Sequence, residues 1–179
     1  MTKIKALLAT PKIKDHYFHK SIILITGNDS GYYHGLILNK KMNERIMDIW
    51  EEVNANLILK NNKNLKNGGP LYGAVAVVHK IKKYSEQELF DKTYISIHPE
   101  NIEKIIQNKT KPFEMYVGYC GWTSDQLARE LAIGSWWPIE PDDNIIFDDN
   151  YDYWNLKKEE QNKLYLDKLS IKIQNHLIN

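Results

Sequence analysis

Disulfide chemistry is closed to this sequence. Its 179 residues include one cysteine, Cys120, so no intramolecular bridge and no multi-cysteine zinc site can form. An excess of one charge is lacking too: 24 Lys and Arg stand against 23 Asp and Glu, a net charge of +1. That balance supplies no global attraction to nucleic acid or to an acidic membrane. No apolar run approaches the roughly 20 residues of a membrane span. The first run, Ala6-Leu7-Leu8-Ala9, is also too short for the h-region of a secretory signal. The expectation is a cytoplasmic protein with no membrane association. The six histidines (16, 19, 34, 79, 98 and 176) show no His-x-x-x-His pair, so a helix-borne zinc site is not expected. No linker or internal repeat divides the chain, and one domain over residues 1–179 is expected.

What is present is a mixture of strand and helix signals. Ile22-Ile23-Leu24-Ile25 and the segment from Tyr33 to Asn39 read as two strands joined by the Gly-bounded turn Gly27 to Gly31. Further strands are expected at Ala74 to Val78, Tyr94 to Ile97, Phe113 to Tyr119, Trp136 to Ile139 and Ile145 to Phe147. A helix capped by Asn43 would carry Ile46, Ile49, Trp50 and Val53 on one face. Pro99 opens a second, with Ile102, Ile105 and Ile106 as its stripe. Thr123, three residues before Gln126, caps a third, which Gly134 ends. A last helix begins near Tyr153. The segments from Lys60 to Asn67 and from Lys80 to Phe90 are polar and read as a surface loop and an exposed excursion. Short connections between strands, with helices intervening irregularly, favour an α+β fold with a mixed sheet over a doubly wound parallel one.

Several short segments recur in an ordered set: Ser21-Ile22-Ile23-Leu24-Ile25, Gly35-Leu36-Ile37-Leu38-Asn39, Gly68-Gly69-Pro70-Leu71 and Gly118-Tyr119-Cys120-Gly121-Trp122. Gln126-Leu127 with Glu130 follows, then Gly134-Ser135-Trp136. Over residues 18–165 this resembles the AlgH/YqgE-like family of bacterial proteins. The resemblance implies a largely antiparallel sheet curled into a pseudo-barrel with helices packed outside. One branch of that family is linked genetically to regulation of exopolysaccharide production, and the family brings no agreed catalytic residues. Lys40-Lys41 stand where that family has a basic residue and proline, Cys120 stands where a small residue is usual, and the tail from Ser170 to Asn179 lies beyond the resemblance.

Two glycine-bearing segments attract attention as possible sources of free backbone amides. Gly68-Gly69-Pro70 lacks the Lys and Ser/Thr of a phosphate-binding loop, and a structural turn is its plainer alternative. Gly118 to Trp122 reads as a strand-to-helix corner, either a ligand cradle at a helix N-terminus or a packing corner with Trp122 in the core. Gln126 and Glu130, four apart, share a helix face that could line a pocket with Asn39 at its strand end. The candidate site is thus Asn39, Gly68, Gly69, Pro70, Tyr119, Gly121, Trp122, Gln126 and Glu130, suited to a small polar or anionic ligand or a protein partner. Cys120 could act as a nucleophile with His34 or His79 as base, but nothing in the sequence places them together. Asp148, Asn150 and Asp152 followed by Glu159 match calcium-loop positions 1, 3, 5 and 12, but Tyr153 occupies the sixth, where the turn needs glycine. No metal, cofactor or strong nucleic-acid binding is therefore expected. The reading favours a non-enzymatic regulatory or binding module. Its alternative is a small hydrolase or transferase with a pocket near Asn39, Gly68, Gly69 and Gln126.

Overall fold

A computed structural model describes residues 4–46, 63–108, 110–150 and 152–177. The apolar strand signals become a ten-stranded sheet. Its strands are β1 (Ala6–Ala9), β2 (Ile22–Asp29), β3 (Tyr32–Ile37), β4 (Lys41–Arg45), β5 (Asn64–Asn67), β6 (Leu71–His79), β7 (Gln87–Phe90), β8 (Thr93–Ser96), β9 (Phe113–Thr123) and β10 (Trp136–Ile139). The main path runs β10-β1-β2-β3-β9-β6-β8-β7, with β5 lying parallel to β9 and antiparallel to β4. All other neighbours are antiparallel. The sheet curls into a half-barrel, carrying the helices α1 (Pro99–Gln107), α2 (Ser124–Ala132), α3 (Asp143–Phe147) and α4 (Tyr153–Leu177). The α+β, largely antiparallel pseudo-barrel is the fold expected above.

Three packed clusters explain the curl. Leu8, Leu24, Leu36, Leu38, Val78 and Tyr116 meet inside it, where Ile145 and Ile146 of α3 and Trp154 of α4 plug one end. A second cluster places Ile102, Ile105 and Ile106 of α1 against Val77, Phe113 and Met115. A third places Leu127 of α2 against Leu7, Ile23, Ile37, Cys120, Trp122 and Trp136. Successive strand residues point to opposite faces, so Leu36 faces the interior while Ile37 faces α2.

Several local expectations are overturned by tertiary pairing. Residues 41–45 form β4, because Lys41 pairs with Lys66 and Arg45 with Asn64, so Asn43 is a strand residue and no helix cap, and helix begins only at Ile46. Ile46 is buried beneath α1, while Ile49, Trp50 and Val53 lie outside the described residues. The Lys60–Asn67 loop is in part β5, with Leu65 and Lys66 both buried. The Lys80–Phe90 excursion holds a 3-10 turn at Lys82–Tyr84 and then β7, whose Phe90 enters the interior. Ala6–Ala9, read above only as an apolar run too short for export, is a fully buried strand between β10 and β2. Ile145-Ile146-Phe147 is helical: Asp142 accepts the Ile145 amide at 3.0 Å and caps α3. Gly118 to Trp122 lies inside β9, so it is no strand-to-helix corner. Thr123 does cap α2, accepting from the Gln126 amide at 3.1 Å.

Lys66 ties the plug to the wall. Its ammonium donates to the Ile146 carbonyl at 3.1 Å, lies 3.0 Å from Asp149 Oδ1 and 3.5 Å from Glu114 Oε2. Lys63 pairs with the other Glu114 oxygen, and Lys41 with Asp149 at 3.3 Å. Burial pushes the Glu114 carboxyl up, against the pull of Lys66 and Lys63. Burial also works against the Asp149 charge, but Lys66 and Lys41 outweigh it and hold that carboxyl below its usual range.

Candidate functional site

The nine residues singled out from the sequence fall into separate settings. Asn39 is bound to backbone: its Oδ1 accepts from the Ile22 amide at 2.9 Å and its Nδ2 donates to the Lys20 carbonyl at 2.8 Å. Gly68 and Gly69 thread between β3 and β9. The Gly68 amide donates to the Val117 carbonyl and the Gly68 carbonyl accepts from the Ile37 amide, at 2.8 and 2.9 Å. A Cβ on Gly68 would lie 2.2 Å from the Gly118 carbonyl oxygen, and one on Gly69 2.3 Å from Tyr119 backbone. These glycines serve a close backbone crossing. Pro70 follows, half-buried, at the start of β6.

Trp122, Gln126 and Glu130 are gathered elsewhere, beside Trp136 under α2. One Glu130 oxygen accepts from both indoles, Trp122 Nε1 at 3.0 Å and Trp136 Nε1 at 2.6 Å. The other accepts from Gln126 Nε2 at 2.9 Å. Cys120 is buried in the same cluster, and burial pushes its thiol up to about 12. Little thiolate forms near neutral pH in such a setting. His79 is a buried residue of β6 that bonds Ser96 and Ile81, on another strand pair.

Tyr119 and Gly121 lead to a different place. The end of the half-barrel away from the α3 plug is open, and a groove of about 800 Å³ enters it. Its floor is Leu36, Ala76 and Ile95, with Ile97 exposed at the edge. Its rim is Thr26 to Asp29 of β2, His34 of β3, Gly118 and Tyr119 of β9, and Glu86 and Gln87 leading into β7. Gln87 Nε2 donates to the Thr26 carbonyl at 3.1 Å, joining β7, the last strand of the path, to β2. The His34 ring lies between those of Tyr32 and Tyr119, with centroids 5.2 and 5.9 Å away. Its Nε2 is 4.0 Å from Asp29 Oδ2. Tyr32 occupies the space left free by Gly121, where a Cβ would come within 2.8 Å of the ring. Sequence reasoning missed most of this rim. The available signal was that His34 and Leu36, two apart on one strand, share a face, so the turn-rich end of the hairpin continues the interior.

Among the described residues no group of three or more His, Cys, Asp or Glu is placed to hold a metal ion. No described helix is long and apolar enough to cross a membrane. A smaller cavity of about 200 Å³ lies beside Asn39, Lys41, Asp149 and Asp152.

Comparison with known proteins agrees with the fold. The model of a family described as AlgH-like matches residues 6–165. A UPF0301 protein of Vibrio vulnificus is 30% identical over 152 residues, covering 79% of this chain and 81% of the relative. One from Francisella philomiragia is 34% identical over 146 residues, covering 75% of each. The solution structure of the AlgH protein from Pseudomonas aeruginosa superposes with a TM-score of 0.69 at 21% identity, covering 82% of each chain. The crystal structure of a Corynebacterium diphtheriae protein superposes with a TM-score of 0.64 at 20% identity, covering 83% of this chain and 81% of that one. At such identities the two structures speak for the architecture alone.

Proposed function

The chain belongs to the AlgH-like family, and from that premise we propose that it is a binding module whose ligand lies in the open end of the half-barrel. The observation that carries this reading is the groove itself. About 800 Å³ falls within the roughly 300–1,000 Å³ of small-molecule sites, and an apolar floor with a few convergent polar groups is their usual construction. Such a site suits a ligand with an apolar body that reaches Leu36, Ala76 and Ile95 and a polar head that stays at the rim. A protein acting this way would be regulatory: the ligand would bridge β2, β3, β8 and β9 and so alter the surface offered to a partner. A cytoplasmic place of action goes with it, the lone thiol being buried and unpaired.

Binding is preferred to the hydrolase or transferase alternative because that alternative needs Asn39, Gly68, Gly69 and Gln126 at one surface. Asn39 is spent on Lys20 and Ile22, the glycines on the crossing with β9, and Gln126 on Glu130. Titration of isotope-labelled protein with 1-octanol tests the reading. Shifts concentrated on the methyl groups of Leu36, Ala76, Ile95 and Ile97, weakened in Ala76→Leu, are expected. No saturable shift, or shifts scattered away from these residues, would sink it.

A further inference from the structure

The charge of the groove narrows its ligand. Among the described residues its lining holds two carboxylates, Asp29 and Glu86, and neither Lys nor Arg. Glu86 is fixed in place: Oε2 accepts from the Ile97 amide at 2.6 Å and Oε1 from Asn101 Nδ2 at 2.6 Å. These bonds orient it without neutralising it. Asp29 Oδ2 lies 4.0 Å from His34 Nε2, too far for a hydrogen bond, and is otherwise open to water. The same rim carries aromatic rings, Tyr119 with His34 against it and Tyr32 on the other side of His34. Aromatic faces beside uncompensated carboxylates attract an organic cation, and most strongly one too weakly hydrated to prefer water. An anionic head would meet the same carboxylates with repulsion.

Resting on the reading of the groove as a ligand site, we propose that its ligand is a cationic amphiphile: an alkyl- or aryl-ammonium whose head sits among Tyr119, His34, Asp29 and Glu86 and whose chain lies on Leu36, Ala76 and Ile95. This reverses the sign of ligand that the glycine motifs suggested. The Gly68 amide is given to the Val117 carbonyl of β9 and the Gly69 amide to Asn67 Oδ1, whereas the open end of the barrel offers carboxylates and rings.

Three probes of one chain length separate the head from the tail: octyltrimethylammonium, 1-octanol and octyl sulfate, each below its micelle concentration and followed by calorimetry and by methyl shifts. The ammonium is expected to bind about tenfold tighter than the alcohol, roughly the effect of one partly desolvated cation–π contact. The sulfate is expected to bind weaker than the alcohol. Added salt should weaken the ammonium and leave the alcohol unchanged. The double variant Asp29→Asn with Glu86→Gln should remove most of the ammonium's advantage and leave alcohol binding as it was. Tyr119→Leu should lower ammonium affinity where Tyr119→Phe does not, which keeps the ring's role testable if the carboxylate variant folds poorly. Equal binding of ammonium and alcohol, or sulfate binding as tight as ammonium, overturns the cationic assignment while leaving the groove intact. Failure of all three probes to move the groove methyls overturns the ligand site itself. Ammonium shifts that map away from Tyr119, His34 and Ile97 overturn the placement.

Discussion

Among single residues, two polar groups taken from water show why a conspicuous side chain need not be a working one. Glu130 satisfies two indole N–H groups that the core would otherwise strand, and each such orphan costs about 1–3 kcal/mol. His79 is the second case. The Ile81 amide donates to its Nδ1 at 3.1 Å, so the proton sits on Nε2, which donates to the Ser96 hydroxyl at 3.0 Å. Ser96 in turn donates to the Tyr84 carbonyl. Protonating Nδ1 would break the first bond inside a buried site, and burial lowers the imidazole from 6.5 to about 4. Below pH 6.5 the unfolded chain therefore binds a proton that the folded chain does not. The stability that neutral His79 contributes is full above about pH 6.5 and is lost as pH falls toward 4. That shift corresponds to on the order of 3 kcal/mol. Urea midpoints measured from pH 7 to 4 should fall steeply in the native protein and less steeply in His79→Gln. Equal slopes would remove His79 from the account.

At the scale of elements, legibility in the sequence followed burial and pattern. Strands β2, β3, β6 and β9 and helices α1 and α2 carry contiguous β-branched runs or capped stripes of their own, and their positions were readable. β5 was not, because Lys66 enters the interior only through Glu114 and Asp149, which sequence neighbours do not reveal. β1 is only four residues long, and α3 hides a helix cap behind a β-branched pair. The site was less legible than the fold, since its rim draws on β2, β3, β7 and β9 and exists only once the sheet curls. Of the residues picked from motifs, Tyr119 lines it, and Gly121 makes room for Tyr32. The crossing of Gly68-Gly69 over β9 is an element-scale feature with its own test. Gly69→Ala would force a Cβ to within 2.3 Å of backbone at a φ of 151°, so strand separation or strain must follow. A loss of at least about 2 kcal/mol is expected, as overpacking and backbone strain each cost 1–3. Gly27→Ala, whose Cβ would find its first neighbour at 3.9 Å, should stay within about 1 kcal/mol. Similar losses for both would contradict the close crossing.

For the whole molecule, Lys66 is where the sheet, α3 and the Asp149 loop meet. Lys66→Ala would leave Glu114 buried with Lys63 alone and release the Ile146 carbonyl, and breaking one partner of a buried pair costs about 3–5 kcal/mol. Lys66→Met keeps the volume and should cost no more than Lys66→Ala. The clusters share strands, so the loss should appear as one shifted transition, with circular dichroism and tryptophan fluorescence coinciding. Separate transitions would mean that the plug end and the open end are independent folding units.

The sheet's order also has a consequence for how the chain is made. β1 is made before every other described strand of the sheet, yet one of its two neighbours is β10, with Ala6 facing Ile139. Until β10 has been made, Ala6 to Ala9 can pair only with β2, and its other edge, wholly apolar, stays open. An unpaired apolar edge is a template for association between nascent chains. Vectorial synthesis therefore exposes this fold to a hazard that refolding of the complete chain does not, and a slow-translating stretch between residues 100 and 139 would lengthen it.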